Sequence, residues 1–594
     1  MDSRIVDVKP PSPVKDVPVK DDVPGLHGAH DVQEGVTAEN ADNLHRDLDN
    51  RQIQLIAIGG GIGTALFVSI GSGLYHGGPG SLLIAYIVQS CFLAMVNNSL
   101  AEMTTTYPFS GGFIRLAGKW VDEALSFMVG WNFFFYEALL IPFEIAAFNL
   151  VLSFWSSKVT EPGPVAGICA AVIICYGANA ESSYSIINFL AVGAYGEAEF
   201  WLSGGKVILI FSLFSFTFIT MVGGNPANDA YGFRFWEDPG SFMTYLNDGA
   251  LGRFEGFLGA LWSACFTVVG PEYLSMVAAE AKRPRAYVKF AFKTMYIRFG
   301  IFFIGGALAV GIVCSSRAQE LKEVVTGSSN GSAAASPYVI GMQRMSISVF
   351  PSIVNALLLT SIFSAGNTYT YCAIRTLYGM ALEGRAPRVL AYTTRRGVPL
   401  WCYCIVMIFP MLSFLQCSSN SAVVISWFAS LITAGGLIDY IVISLTFIFF
   451  HRACKAQGVD RRSFAYFGWL QPYCAYGGLI WMTTVTIFYG YPAFKPFTVA
   501  GFFQSYTMQL FIPPLYFIWK FIKRTRIIPP QEADLIWERP TVDAYEATFI
   551  DPPVGFWKEM GQMVGIGRKK GGNDRRVPGV PSPNRSDDSG EKTV

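Results

Sequence analysis

Gln54–Gly73 reads QLIAIGGGIGTALFVSIGSG and carries no charge. At about 20 residues it is long enough to cross a bilayer. Its middle, Gly59-Gly60-Gly61-Ile62-Gly63-Thr64, places four glycines in five positions. Each costs roughly 1 kcal/mol in a helix interior relative to Ala. A segment built only to span lipid gains nothing from that cost. Unwound backbone at membrane depth survives only where it faces protein or a wet cavity, and a glycine-interrupted span points to a substrate site. The competing reading is a helix-packing face, since Gly59 and Gly63 have the G-x-x-x-G spacing.

The remainder of the chain favours the first reading. Of 594 residues, 52% are hydrophobic and 15% charged, against a soluble norm of about 25% charged. The net charge of +1 gives nucleic acid no electrostatic purchase. The 11 cysteines lie scattered in apolar runs without a CxxC pair, so they read as small core hydrophobes rather than metal ligands. Residues 1–50 are polar and Pro-containing, which predicts a disordered tail and no cleavable signal peptide.

Twelve apolar runs follow, at 53–75, 81–101, 126–153, 164–182, 200–222, 256–278, 296–315, 351–380, 399–417, 422–450, 473–491 and 501–522. The expected class is an all-α integral membrane protein. Residues 51–525 form the transmembrane domain, and 526–594 a largely irregular C-terminal tail with one short docked helix near 553–563. Lys and Arg crowd the connections after spans 6, 8, 10 and 12, with Arg395 and Arg396 among them. The positive-inside rule then places both termini in the cytoplasm. Two longer connections, 223–255 and 316–351, lie outside; the second holds a glycosylation sequon at Asn330. The amphipathic stretch Phe113–Trp120 reads as an interfacial helix on the inner leaflet.

Span 6 is interrupted too. Val269-Gly270-Pro271 stops a helix near its middle, because Pro271 lacks an N–H and clashes with the preceding turn. Spans 1 and 6 are five apart and enter from opposite sides, as an inverted repeat of five helices would have them. An ordinary proline kink is the alternative for span 6. Exposed N–H groups at one half-helix end suit a carboxylate, and carbonyls at the other suit an ammonium. An α-amino acid carries both. Thr64 and Thr267 add hydroxyls, and Phe266 is placed to close over a side chain.

These residues resemble the fungal amino-acid permeases of the amino acid–polyamine–organocation superfamily. The matching stretches are Leu44-His-Arg-Asp-Leu, Arg51 to Thr64, Gly80-Ser-Leu-Leu-Ile-Ala-Tyr, Gly130-Trp-Asn, Tyr195-Gly-Glu-Ala-Glu-Phe-Trp, Ala279-Glu-Ala-Lys-Arg-Pro-Arg and Ser364-Ala-Gly-Asn367 with Arg375-Thr-Leu-Tyr. Together they cover roughly residues 44 to 540. The resemblance implies twelve transmembrane helices in the leucine-transporter-like 5+5 inverted-repeat fold, with helices 1 and 6 broken and two extra C-terminal helices. It implies proton-driven amino-acid uptake at the plasma membrane, with no cofactor. Carried over by position, Gly60, Gly61, Ile62, Gly63 and Thr64, with Phe266, Thr267, Val268 and Gly270, hold the substrate backbone. The chain departs from the family at Pro271-Glu272-Tyr273, where Thr-Glu-Leu is common, and at Gly61, where Cys is frequent.

Titratable groups inside a membrane are rare and mark function. The five histidines, at 27, 30, 45, 76 and 451, all fall outside the predicted spans, so no buried His relay is expected. The resemblance places Lys206 where sodium-coupled relatives hold a sodium ion, bridging span 1 carbonyls and span 8 groups such as Ser364, with Asn367 nearby. Burial disfavours a lysine's charged form and lets it release a proton; a snorkelling lysine is the alternative. Glu144 is read as proton carrier, ammonium partner or structural carboxylate. Glu272 either caps the second half-helix or joins the coupling. Glu137 and Asp439 are read as inter-helix partners, or as counter-charges for a cationic substrate. Arg375 snorkels or pairs.

Three classes compete. The first is a proton–amino acid symporter. The second is a non-transporting sensor, which in this family carries a longer N-terminal extension. A membrane enzyme is third, and no HExxH, GxSxG or phosphate loop supports it. Polyamine, carnitine or choline transport stays open within the first class. Partners are the bilayer, the substrate and, by resemblance, ubiquitin-ligase adaptors acting on tail lysines such as Lys9, Lys15 and Lys20.

Overall fold

The computed structural model describes residues 46, 48–61, 63–326, 336–394, 399–419, 421–537 and 539–563, with backbone alone at 56–61, 178–202 and 422. The N-terminal tail to residue 45, Ile62, the sequon at Asn330, Arg395, Arg396 and everything past Met563 lie outside the described residues. So do the tail lysines 9, 15 and 20.

Among the described residues every regular element is helical, apart from two isolated bridges at Leu48–Ala281 and Phe494–Phe497. The main helices are α1 (Asn50–Gly61), α2 (Ile70–Thr106, entered through a π-helical turn at Ala65–Ser69), α3 (Gly112–Trp120) and α4 (Glu123–Leu152). They continue with α5 (Pro162–Met221), α6 (Gly249–Thr267), α7 (Pro271–Val277), α8 (Pro284–Arg298) and α9 (Gly305–Val313). Then come α10 (Phe350–Leu382), α11 (Leu400–Val406), α12 (Ser421–Ala456), α13 (Tyr473–Phe488) and α14 (Val499–Lys523). Two short helices, α15 (Arg539–Ala547) and α16 (Phe556–Met563), end the described chain. Eight stretches among the described residues are long and apolar enough to cross a membrane. The chain is an integral, multi-pass membrane protein.

The expected boundary between spans 1 and 2 is not a loop. Helical hydrogen bonding continues through it, and the turn is made at Gly78 (φ 78°, ψ 173°) followed by Pro79. The positive φ needs glycine, and Pro79 supplies no donor. A Cβ on Gly73 would lie 2.8 Å from Leu82 Cδ1, although nine residues of straight helix span about 13 Å. The chain therefore folds back on itself here. The connection after α5 closes the turn: Met243 N–H donates to Gly77 O (2.9 Å) and Gly80 N–H to Ser241 O (2.8 Å).

Spans 4 and 5 likewise share one helical assignment, α5, in place of the expected break between 182 and 200. The axis does not run straight. Tyr176 packs on Phe363 (5.2 Å between centroids) and Phe216 on Phe350 (5.6 Å). Forty residues of straight helix would span about 60 Å, and the thirteen from Phe350 to Phe363 only about 20 Å.

The amphipathic stretch at 113–120 is a helix, but not an interfacial one. Phe113, Leu116, Ala117 and Trp120 of α3 are buried in protein. Ser126 of α4 donates to the Ile114 carbonyl (2.6 Å), and the Trp120 indole to Asp534 O (3.0 Å). Its apolar face covers the start of α4 and the tail instead of meeting lipid.

α4 is the axis of the molecule. It is apolar all round, as a helix with neighbours on every side must be, and it packs against α10, α12 and α14. Asp122 caps it, accepting from Ala124 N (3.0 Å), and is itself held by Tyr516 and Lys520 of α14.

Candidate functional site

Both interruptions expected from sequence are present in the backbone. α1 stops at Gly61, Gly63 is non-helical, and helical turns resume at Thr64. α6 stops at Thr267; Val268 is extended (φ −88°, ψ 93°), and Gly270 adopts φ 137°, ψ −29°. Only glycine takes that conformation without strain. Pro271 then starts α7, where its missing N–H costs nothing. The Glu272 carboxylate accepts the Gly270 N–H at 3.2 Å from each oxygen, and also the Tyr440 hydroxyl at 3.0 Å. Capping is thus its visible role.

Two consecutive residues of α4 join the interruptions. The Phe143 ring meets Phe266 edge-on at 5.1 Å. Glu144 accepts the Thr64 hydroxyl. A Cβ on Gly63 would lie 3.2 Å from the Tyr369 hydroxyl and 3.3 Å from Glu144 Oε1, so the bare backbone at Gly63 is what lets these groups approach.

Lys206 of α5 is buried and within electrostatic reach of Glu144. Tyr176 and Tyr369 lie in the same field. Ser364 is buried on α10 and its carbonyl accepts from Thr368 (3.1 Å); Asn367 is half-buried one turn on. The Thr267 hydroxyl is engaged away from the interruption, accepting from Tyr86 (3.0 Å) and donating to Ser263 O (2.8 Å). Gly60 and Gly61 are described by backbone alone, and Ile62 lies outside the described residues. Arg375 pairs with Glu280.

Phe266 also forms part of the wall of a cavity of about 520 Å³, together with Trp262, Ser263, Tyr75, His76 and Thr433. Tyr245 and Val324–Thr326, from the two longer connections, also line it. Its described lining contains hydroxyls and aromatic rings and no Asp, Glu, Lys or Arg. The expectation that every histidine lies outside the spans is overturned here. α2 is longer than predicted and contains His76, whose ring packs against that of Tyr245, tilted by 51° with centroids 4.2 Å apart. α12 likewise extends through His451.

Sequence reasoning did not single out Phe143, Tyr176 or Tyr369, and met Tyr86 only as the end of the matching stretch Gly80–Tyr86. Their only signal was a ring, with or without a hydroxyl, inside an apolar run, which any buried aromatic shares.

The arrangement offers interrupted backbone, a carboxylate and an ammonium around one point in the membrane core. That set can hold a small zwitterion. Comparison with known proteins agrees. The amino acid permease family model matches residues 52–528. The general amino acid permease AGP2 of Saccharomyces cerevisiae is 43% identical over 512 residues, covering 84% of this chain and 83% of that protein. The proline-specific permease of Emericella nidulans is 34% identical, covering 84% and 89%. The lysine-specific permease of Saccharomyces cerevisiae is 31% identical, covering 82% and 80%. With a family match over most of its length and relatives above 30% identity over at least 80% of each chain, the chain belongs to the amino acid permease family.

Proposed function

We propose that this permease is a plasma-membrane proton–amino acid symporter that works by alternating access around the interruptions at Gly61–Gly63 and Val268–Gly270. One observation carries the reading: Phe143 and Glu144, adjacent on α4, touch both interruptions at once. The substrate carboxylate and ammonium sit on Gly60–Thr64 and Phe266–Gly270. Glu144 and Lys206 form the coupling pair, and Glu272 ties the state of α7 to α12. Twelve crossings, arranged as a 5+5 inverted repeat plus two C-terminal helices, accommodate these elements with both termini cytoplasmic. The coupling ion is the proton, and no cofactor takes part. Tail lysines are the points at which ubiquitin-ligase adaptors act.

The cavity favours amino acids over polyamine, carnitine or choline, because a dedicated cation path would present a carboxylate and its described walls have none. Relatives of similar identity are named for proline and for lysine, so family membership leaves the side chain open. Competition of unlabelled amino acids, spermidine and carnitine against labelled proline, lysine and glutamate in a permease-deficient yeast decides it. Competition by amino acids alone supports the reading; competition only by spermidine or carnitine overturns it. No uptake of any labelled compound, with the protein at the cell surface, favours a sensor. In the same strain Lys206→Ala removes accumulation driven by an imposed pH gradient, and Glu144→Gln changes the pH profile of uptake.

A further inference from the structure

α4 and α12 cross where Asn132 donates to the Gly435 carbonyl (2.8 Å) and to Asp439 Oδ1 (2.9 Å). Tyr136 packs over Gly435 and Gly436 at the same crossing. The crossing buries two carboxyl groups, Glu137 at 0% exposure and Asp439 at 1%. Neither oxygen of Glu137 meets a donor at full hydrogen-bonding geometry, and neither does Asp439 Oδ2; the Tyr273 hydroxyl is the neighbour that faces Glu137. Glu137 lies within electrostatic reach of Asp439 and of a third acid, Glu272. The groups that face this point are Tyr136 on α4, Glu272 and Tyr273 on α7, Tyr369 on α10, and Asp439 and Tyr440 on α12. None of them is cationic.

Burying a carboxylate away from water and from any counter-ion is costly, and neutral hydrogen bonds such as that from Asn132 to Asp439 offset only part of the cost. Two such groups in one field repel each other as well. The crossing therefore needs a positive charge that none of the described residues facing it supplies. No group of His, Cys, Asp or Glu among the described residues is arranged to hold a metal ion. Complete burial also leaves no room for a hydrated ion, so the cation that fits is a proton.

We propose that Glu137 and Asp439 form a second proton-holding site, separate from Glu144 and Lys206. It rests on the proton-coupled reading above. Glu137 lies two turns, about 10 Å, from Glu144 along α4, on the side of the described chain ends. Asp439 adjoins Tyr440, which holds Glu272 of α7. Tilting α7 breaks that hydrogen bond and opens the crossing to water. The site then gives its proton to the solvent of that face, having taken one from the opposite face while substrate loads. One proton enters and one leaves, with no other bond changed.

The test is the ratio of protons to substrate in permease-deficient yeast expressing the full chain. It uses whichever of labelled proline, lysine or glutamate the wild type takes up. Glu137→Gln and Asp439→Asn are each expected to lower the ratio by at least half while substrate counterflow continues. Infrared difference spectra across a pH step, on purified protein, are expected to show a protonated carboxyl band that Glu137→Gln removes. Should either amide variant fail to reach the surface, Glu137→Asp decides: it keeps a carboxyl and is expected to shift the band, and an unshifted band overturns the site. A wild-type ratio in Glu137→Gln and Asp439→Asn, or an unchanged band in Glu137→Gln, overturns this site alone, provided Lys206→Ala is uncoupled. Absence of substrate-linked proton flux in the wild type overturns the proton-coupled reading and this site with it.

Discussion

Gly270 makes the strictest demand of any single residue in the site. At φ 137° any side chain strains the backbone, at a cost of about 1–3 kcal/mol. The strain is relieved by rebuilding the interruption, so Gly270→Ala should abolish uptake while leaving the protein at the cell surface. Normal uptake beside normal surface labelling would show that the interruption is not needed. Gly63 is graded differently. Its missing Cβ would sit 3.2 and 3.3 Å from two side-chain oxygens, tight enough to require a small shift but not a clash. Gly63→Ala should therefore lower uptake several-fold and Gly63→Val eliminate it, with dose–response of labelled substrate separating the two. Equal uptake by both variants would remove Gly63 from the site. These glycines were legible in sequence because glycine and proline state a backbone requirement outright. Phe143, Tyr176 and Tyr369 were not, because a buried ring reads the same whether it packs a core or shapes a pocket.

Secondary elements were legible to the extent that each depends on its own residues. The interruptions in spans 1 and 6, the long α4 and the apolar α10 and α12 follow from local composition. The turn at Gly78 and the bent course of α5 depend on what packs against them, and sequence placed ordinary loops there. α3 failed for a related reason: amphipathicity predicts a covered face but not whether lipid or protein covers it. The far end of α2 shows how such elements are fixed. Glu102, fully buried, accepts Arg461 Nε (2.6 Å), Arg461 Nη2 (2.7 Å) and Gly468 N–H (2.8 Å). Removing one partner strands a buried charge, at about 3–5 kcal/mol. Arg461→Ala should therefore lower thermal stability in detergent more than the double change Glu102→Gln with Arg461→Ala. A double variant worse than either single one would mean the pair acts independently of its burial.

At the scale of the whole molecule, the described chain ends are tied on one face to the first half of one interrupted segment, α1, and to the residues that follow the second half of the other, α7. Leu48 pairs with Ala281, and Lys282 bonds Asp49 (2.7 Å). The C-terminal segment crosses both. The Val554 carbonyl accepts from Asn50 (3.0 Å), and Glu559 accepts the Arg51 N–H (2.7 Å). On the other side, Glu546 accepts the Arg285 N–H (2.8 Å) and Asp543 pairs with Arg285 (2.5 Å). Tyr545 donates to Lys282 O (3.0 Å), and Arg283 bonds the Asp551 carbonyl (2.6 Å). Exposed ion pairs are worth about 0–1 kcal/mol apiece. Charge-assisted bonds with partly buried partners, like those of Glu546, are worth about 1.5–3. Together they bind α1 and the segment after α7 to one strap, so neither half-helix can swing without the other or without the strap yielding. Replacing Asp543 and Glu546 together by Ala should speed hydrogen exchange both in residues 50–55 and in 278–285. It should also raise efflux of preloaded substrate, since the face they close opens more readily. Faster exchange confined to α15, with both half-helices protected as in the wild type, would show that the strap lies on this face without restraining it.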